Sequence, residues 1–193
     1  MNIHYKLEFF SYWHCGSGLS AGADVDLLTI KDEDGLPFVP GKTIKGLLRE
    51  ASETLAALAP DKYPVSDVIE KIYGKANDSK SPEPILQGCA FFSNAGFPKE
   101  DKDFIIRNKF AKNLFTSVSS TAIDDAGIAE EHSLRKTEVA LPCVMVGEIL
   151  NLPNDGGKLM SDSMAFVKRL GANRNRGLGR CRFTLTKTEM SND

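Results

Sequence analysis

The sequence predicts an α+β fold, with helices on one face of a mainly antiparallel sheet, and three patterns predict it. Near the start, Ile3, Tyr5, Leu7 and Phe9 alternate with His4, Lys6 and Glu8. Apolar residues then recur at three- and four-residue steps from Ile44 to Leu58. Toward the end, strand-like, helix-like and strand-like segments follow one another.

The opening alternation has period two, which places Ile3, Tyr5, Leu7 and Phe9 on the buried face of a strand. Gly16 to Gly22 is rich in Gly and Ser, and Ala23 to Gly35 carries five acids against Lys31 alone, so the chain from 16 to 35 reads as a long loop or loose hairpin. After Pro37 and Pro40, the segment Gly41 to Leu58 is a helix that Pro60 stops. Lys42, Lys45 and Arg49 fall at i, i+3 and i+7, along one side of its first turns, where the helix N-terminus adds partial positive charge. Ser66 to Tyr73 is a short helix, Gly74 to Pro84 a turn-rich stretch and Cys89 to Phe92 a short apolar run. Residues 116 to 137 are polar, with few apolar anchors, and read as an excursion from the core. Glu138 to Leu150 returns as one central strand. Met160, Met164, Val167 and Leu170 give a second amphipathic helix, and Cys181 to Leu185 a last strand.

The chain has 193 residues, of which 26% are charged and 41% hydrophobic, as expected of one globular domain spanning 1–193. A domain of this size removes roughly 70% of its unfolded surface from water, so it needs no disulfide or structural metal. Apolar runs fall far short of the ~20 residues of a membrane helix, and the protein is expected to be soluble and cytoplasmic, without a membrane partner. Cys15, Cys89, Cys143 and Cys181 show no CxxC spacing and read as free thiols; no zinc is expected. The net charge of -2 hides an asymmetry: residues 163 to 193 hold seven Lys/Arg against two acids. That local field suits a polyanion.

The densest feature is KRLGANRNRGLGRCR, Lys168 to Arg182, with six cations, three glycines and no acid. Glycines let backbone N–H groups approach a phosphate, and arginines supply paired donors to its oxygens. The spacing of Gly171, Gly177 and Gly179 is not GxGxxG and follows a helix, which disfavours a dinucleotide fold. Gly41 to Thr43 reads GKT, but Gly35 stands one residue too far away for a P-loop, and Pro37 and Pro40 stiffen the approach. His4, His14 and His132 have no metal-ligand spacing, and no GxSxG elbow is present.

Three segments, VDLLTIKDEDGLPFVPGKTIKGLLREA (Val25 to Ala51), AIDDAGIAEEHSLRKTEVAL (Ala122 to Leu141) and RLGANRNRGLGRCRF (Arg169 to Phe183), together resemble the RAMP superfamily of CRISPR-associated proteins. The likeness is greatest to the repeated backbone subunits of type III effector complexes. It extends to IYG at Ile72 to Gly74 and GCAFFSNA at Gly88 to Ala95. The resemblance implies an RRM-like, ferredoxin-type sheet with insertions, binding a CRISPR guide RNA beside copies of itself and other effector subunits in a ribonucleoprotein for antiviral defence. It assigns backbone contacts to Lys42, Thr43, Lys45 and Arg49 on the helix, and to Arg169, Gly171, Arg174, Arg176, Gly177 and Gly179 in the loop. A thumb-like insertion at about 116–137 is implied to wedge between guide and target RNA through Ile123, with Arg135 returning to the backbone.

Asp26, in VDLLTIKD, matches the aspartate that cleaving members carry before the PG-helix. Attack by an RNA 2′-hydroxyl needs a group that orients or deprotonates it and a divalent cation, Mg or Mn, near the developing charge. Asp26 is the implied catalytic and metal-binding residue of an endoribonuclease, a hydrolase acting on paired target RNA. Asp24, two residues away, stands as an alternative actor. Two other functions remain open: a non-catalytic guide-binding subunit, and an endoribonuclease that processes precursor guide RNA with a base such as His14.

Overall fold

A computed structural model describes residues 1–20, 25–63, 66–75 and 86–189. Asp24 and most of the turn-rich stretch between Gly74 and Pro84 lie outside these described residues. In order, the elements are β1 (Asn2–Phe9), α1 (Gly41–Leu58), α2 (Ser66–Tyr73), β2 (Gly74–Lys75), β3 (Leu86–Gln87), β4 (Phe91–Phe92), α3 (Lys99–Arg107), β5 (Phe115–Ser120), β6 (Arg135–Ala140), β7 (Val144–Leu150), α4 (Gly157–Phe166) and β8 (Cys181–Glu189). The fold is mixed α and β, with antiparallel sheets. Its largest sheet has the order β4-β7-β1-β8, every neighbouring pair antiparallel.

β1 behaves as its alternation predicts: Ile3, Tyr5, Leu7 and Phe9 are buried, while His4, Lys6 and Glu8 are half-exposed. The buried set packs with Ile44 and Leu48 of α1, Met160 and Met164 of α4, Met145 and Ile149 of β7, and Phe183 of β8. Burial of such side chains contributes about 1.5–3 kcal/mol each and fixes the helices against the sheet. A buried chain of hydroxyls adds direction to that packing, since Ser52 of α1 lies 3.0 Å from the Tyr73 hydroxyl and 2.8 Å from Ser163 of α4. The outward residues of the sheet pair with one another: Glu8 accepts from Arg182 at 3.0 Å, and His4 stands 3.4 Å from Glu148. Arg182, with Lys6 beside it, holds the Glu8 carboxyl below the usual carboxylate range.

Two elements depart from expectation. The stretch 138–150 is two strands, because Pro142 offers no N–H to a ladder; β6 pairs with β5 and only β7 enters the large sheet, where it is interior. The second amphipathic helix stops at Phe166, and Val167 is extended (φ -70°, ψ 121°), so Val167 and Leu170 reach the core from a non-helical segment. The stretch 16–35 takes the loose-hairpin form, with Gly16 bridged antiparallel to Thr29 and Ser17 N–H donating to the Leu28 carbonyl at 2.9 Å, and its returning arm also joins β6. Leu27 pairs with Thr137 in parallel, and Glu138 N–H donates to the Leu27 carbonyl at 2.9 Å, which adds this segment to β6. Among the described residues, no helix is long and apolar enough to cross a membrane.

Candidate nucleic-acid interface

Phe9 stacks on Trp13 with ring centroids 4.5 Å apart, and the Trp13 indole N–H donates to the Leu141 carbonyl at 3.1 Å. This anchors the chain where it leaves β1 and sets the position of His14. The Gly-rich loop is seated on the same place. Gly171 has φ +98°, a side chain there would collide with the His14 carbonyl, and Ala172 N–H donates to that carbonyl at 2.9 Å. Gly179 (φ +69°) is closed against the Leu170 carbonyl in the same way, whereas Gly177 (φ +91°) faces open space. Between Asn173 and Gly177, residues Arg174–Arg176 form one turn of 3₁₀ helix.

From the other side comes the start of α1. Gly41 abuts the Phe92 carbonyl so closely that no side chain fits, and its N–H donates to Asn94 Oδ1 at 2.8 Å. The helix start and the glycine loop thus form two walls of one cleft of about 450 Å³, with Lys42, Thr43 and Gly46 on the first and Gly171, Ala172 and Arg174 on the second. His14 and Cys15 form part of the remaining wall. A narrow trough with backbone amides and cations on facing sides has the chemistry to hold a sugar-phosphate strand.

The charges in this cleft are differently committed. Lys42 in the cleft, and Arg176 in the loop beyond its wall, are exposed, with no side-chain partner among the described residues. Arg174 is shared: its Nη2 stands 3.3 Å from both Glu50 carboxylate oxygens, and Arg169 Nη1 donates to its carbonyl at 3.1 Å. Glu50 was not legible as a site residue, although it follows Thr43 by seven positions on the same helix face. Lys45 and Arg49 point elsewhere. Lys45 lines a second groove with Lys42 and Phe91, and Arg49 pairs with Glu53 at 2.7 Å. The i, i+3, i+7 row thus borders the cleft only at Lys42.

His14 is 2% exposed, with Nδ1 2.7 Å from the Glu138 carbonyl and 3.2 Å from Thr29 Oγ1. A carbonyl can only accept, so Nδ1 carries a proton and donates to it. Burial pushes the Cys15 thiol up to about 12, so the cleft wall presents a neutral thiol and not a thiolate.

Asp26 is exposed beside β6. Its N–H donates to the Lys136 carbonyl at 2.9 Å, and its Oδ2 accepts from Lys136 N–H at 2.7 Å. Among the described residues, no group of three His, Cys, Asp or Glu could hold a metal ion. The excursion is an antiparallel ribbon of β5 and β6, with a turn organised by Asp124, whose Oδ1 accepts from Ala126 and Ile128 N–H groups. Ile123 lies on this tip at 66% exposure, and Ile128 and Leu134 are as open, at 65% and 69%. Arg135 is exposed opposite Ser120, at the last rung of the ladder before the turn.

Comparison with known proteins gives three findings. The model of the RAMP superfamily matches residues 6–182. A chain from the cryo-EM structure of the type III-B Cmr-beta bound to cognate target RNA superposes with a TM-score of 0.68 at 14% identity, covering 96% of this chain and 97% of that one. A chain from the apo state of type III-B Cmr-beta gives 0.65 at 14% identity, covering 97% and 98%. No curated protein matches the sequence.

Proposed function

Because the chain belongs to the RAMP superfamily, we propose that it is a guide-RNA-binding backbone subunit of a type III CRISPR effector complex. One observation carries the reading: α1 and the glycine loop, 130 positions apart in sequence, close on a single cleft with cations on both walls. The element order strand, helix, strand, strand, helix, strand around the β4-β7-β1-β8 sheet supports the finer description of an RRM-like, ferredoxin-type core. In this reading the guide's phosphates meet Lys42, Arg174 and Arg176, the β5–β6 ribbon is the thumb, and Ile123 wedges beside the target RNA. The assembly is a cytoplasmic ribonucleoprotein built with other effector subunits and copies of this one. The nucleic acid that co-purifies with the chain tests it: repeat-derived RNA of defined length is expected. Protein that ignores RNA at low ionic strength overturns it.

The same reading makes Asp26 the residue that cuts paired target RNA. A divalent cation at its carboxylate would steady the charge that develops on the cleaved phosphate, its other ligands coming from RNA and water. A second reading is favoured by the 2.7 Å hydrogen bond from Lys136 N–H, which makes the same carboxylate a strut holding β6 near the ribbon's turn. Two substitutions separate the readings in a guide-programmed assembly. Asp26→Asn keeps an acceptor for Lys136 but removes the charge. If Asp26→Asn and Asp26→Ala both abolish cutting while guide binding persists, the residue acts chemically. If Asp26→Asn cuts normally, the carboxylate is a strut and the enzymatic reading at this residue fails.

A further inference from the structure

A second basic surface adjoins the cleft. Phe10 follows β1 directly, and its ring is 45% exposed although its backbone is fixed: Phe10 N–H donates to the Arg180 carbonyl at 2.8 Å, and Arg180 N–H donates to Ser11 Oγ at 2.9 Å. The Arg182 guanidinium lies 5.2 Å from the ring centroid and that of Arg180 6.0 Å. Together with Lys168 and Arg169 these residues bound a hollow of about 560 Å³ with no carboxylate in its wall. Arg182 is neutralised from outside the hollow by Glu8, but Arg180, Arg169 and Lys168 have no acidic partner among the described residues. The hollow is not isolated. Lys168 and Arg169 also line a neighbouring depression that contains Arg174, and Arg174 belongs to the cleft wall. Basic side chains thus line adjoining hollows from Lys42 to Arg180, with Glu50, on Arg174, the acid in their walls.

An accessible aromatic ring among unpaired cations matches an unpaired nucleotide, whose base stacks on the ring while its phosphates meet the cations. A duplex has no free base face to offer, and an acidic peptide would use the charges but not the ring. We propose that the RNA strand leaving the cleft continues over the start of β8 and stacks one base on Phe10, its phosphates meeting Arg180 and Lys168. The proposal rests on the guide-cradle reading and extends the strand's path beyond it.

Anisotropy with labelled oligouridylate tests it, using a short oligomer that fills the cleft alone and one twice as long. Phe10→Leu is expected to weaken the longer oligomer about tenfold and leave the short one unchanged. Phe10→Trp is expected to bind both as the wild type does, and Arg180→Ala to weaken only the longer. Equal binding of the longer oligomer by wild type and Phe10→Leu overturns the proposal, as does equal loss in Phe10→Leu and Phe10→Trp. A loss in Arg180→Ala alone would make the hollow a phosphate contact without stacking. Failure of the cradle reads differently: wild type would bind neither oligomer, or Lys42→Ala would not weaken the short one.

Discussion

The outward face of the sheet and the cleft between α1 and the glycine loop are both rich in charge, yet they use it in opposite ways. On the sheet, each Lys or Arg among the described residues has an acid: Lys6 and Arg182 meet Glu8, and Lys187 meets Glu189. Lys42 in the cleft and Arg176 in the adjoining loop have none among the described residues, and the backbone carrying the loop is held by glycines rather than by charge. A surface whose charges are paired is electrostatically complete. One whose cations stand single creates a field that only a polyanion neutralises. On the proposed reading, this difference favours the cleft over the sheet face as the seat of RNA.

The largest expected effect comes from the glycines, because they position the cations. Gly179→Ala places a methyl group against the Leu170 carbonyl at a positive φ. Strain of this kind and the collision together cost about 3 kcal/mol, equivalent to a fall of about 6–12 °C in Tm for a chain of this size. Gly177→Ala has the same sign of φ but open space, and should cost only about 1 kcal/mol. Thermal unfolding of the two variants checks this, and equal losses would show that the loop is not seated on Leu170.

Next in size is the effect of the unpaired cations. Lys42→Ala with Arg176→Ala should reduce the slope of log K against log salt for single-stranded RNA by about 1.4, since each lost phosphate contact removes about 0.7. Binding should weaken equally for unrelated sequences, because phosphate contacts carry no base information. Lys6→Ala on the sheet should leave the slope unchanged. A slope that moves with Lys6 instead would put the strand on the wrong face.

How far this contrast was legible in the sequence follows from the range of the interactions involved. β1 and the helices α1 and α2 carry local periodicity, and the structure has them where the alternation and the three- and four-residue steps predict. The Gly/Arg loop was visible because its residue types announce its chemistry without reference to partners. α3 passed unnoticed: KEDKDFIIR is mostly charged, buries only Ile105, and is tied down by Lys102, which reaches Asp32 at 3.1 Å from a distant loop. Pro142 was the local signal that β6 and β7 are separate, and the run of apolar residues around it hid the break. The pairing of Leu27 with Thr137, the seat of Gly171 on His14 and the grip of Glu50 on Arg174 join residues far apart in sequence, so no local pattern carries them. For the same reason Lys45 and Arg49 looked equivalent to Lys42 on the helix, and only the packing of α1 separates them.

The smallest effect tests the cleft's one intrusion of the opposite sign. Glu50 gives Arg174 the kind of partner every cation on the sheet face has, so the cleft's incompleteness would grow if that acid were removed. Arg174 and Glu50 are both partly exposed at 3.3 Å, and pairs of this type contribute only about 0.2–1 kcal/mol, readily screened by salt. A phosphate can therefore displace Glu50 at little cost, and Glu50→Gln should tighten RNA binding about two- to fivefold at low ionic strength. The gain should fade at high salt, while Tm falls little. Weaker binding by Glu50→Gln would carry the opposite lesson: Arg174 then depends on Glu50 for its position, and the pair is part of the cradle rather than a latch that RNA opens.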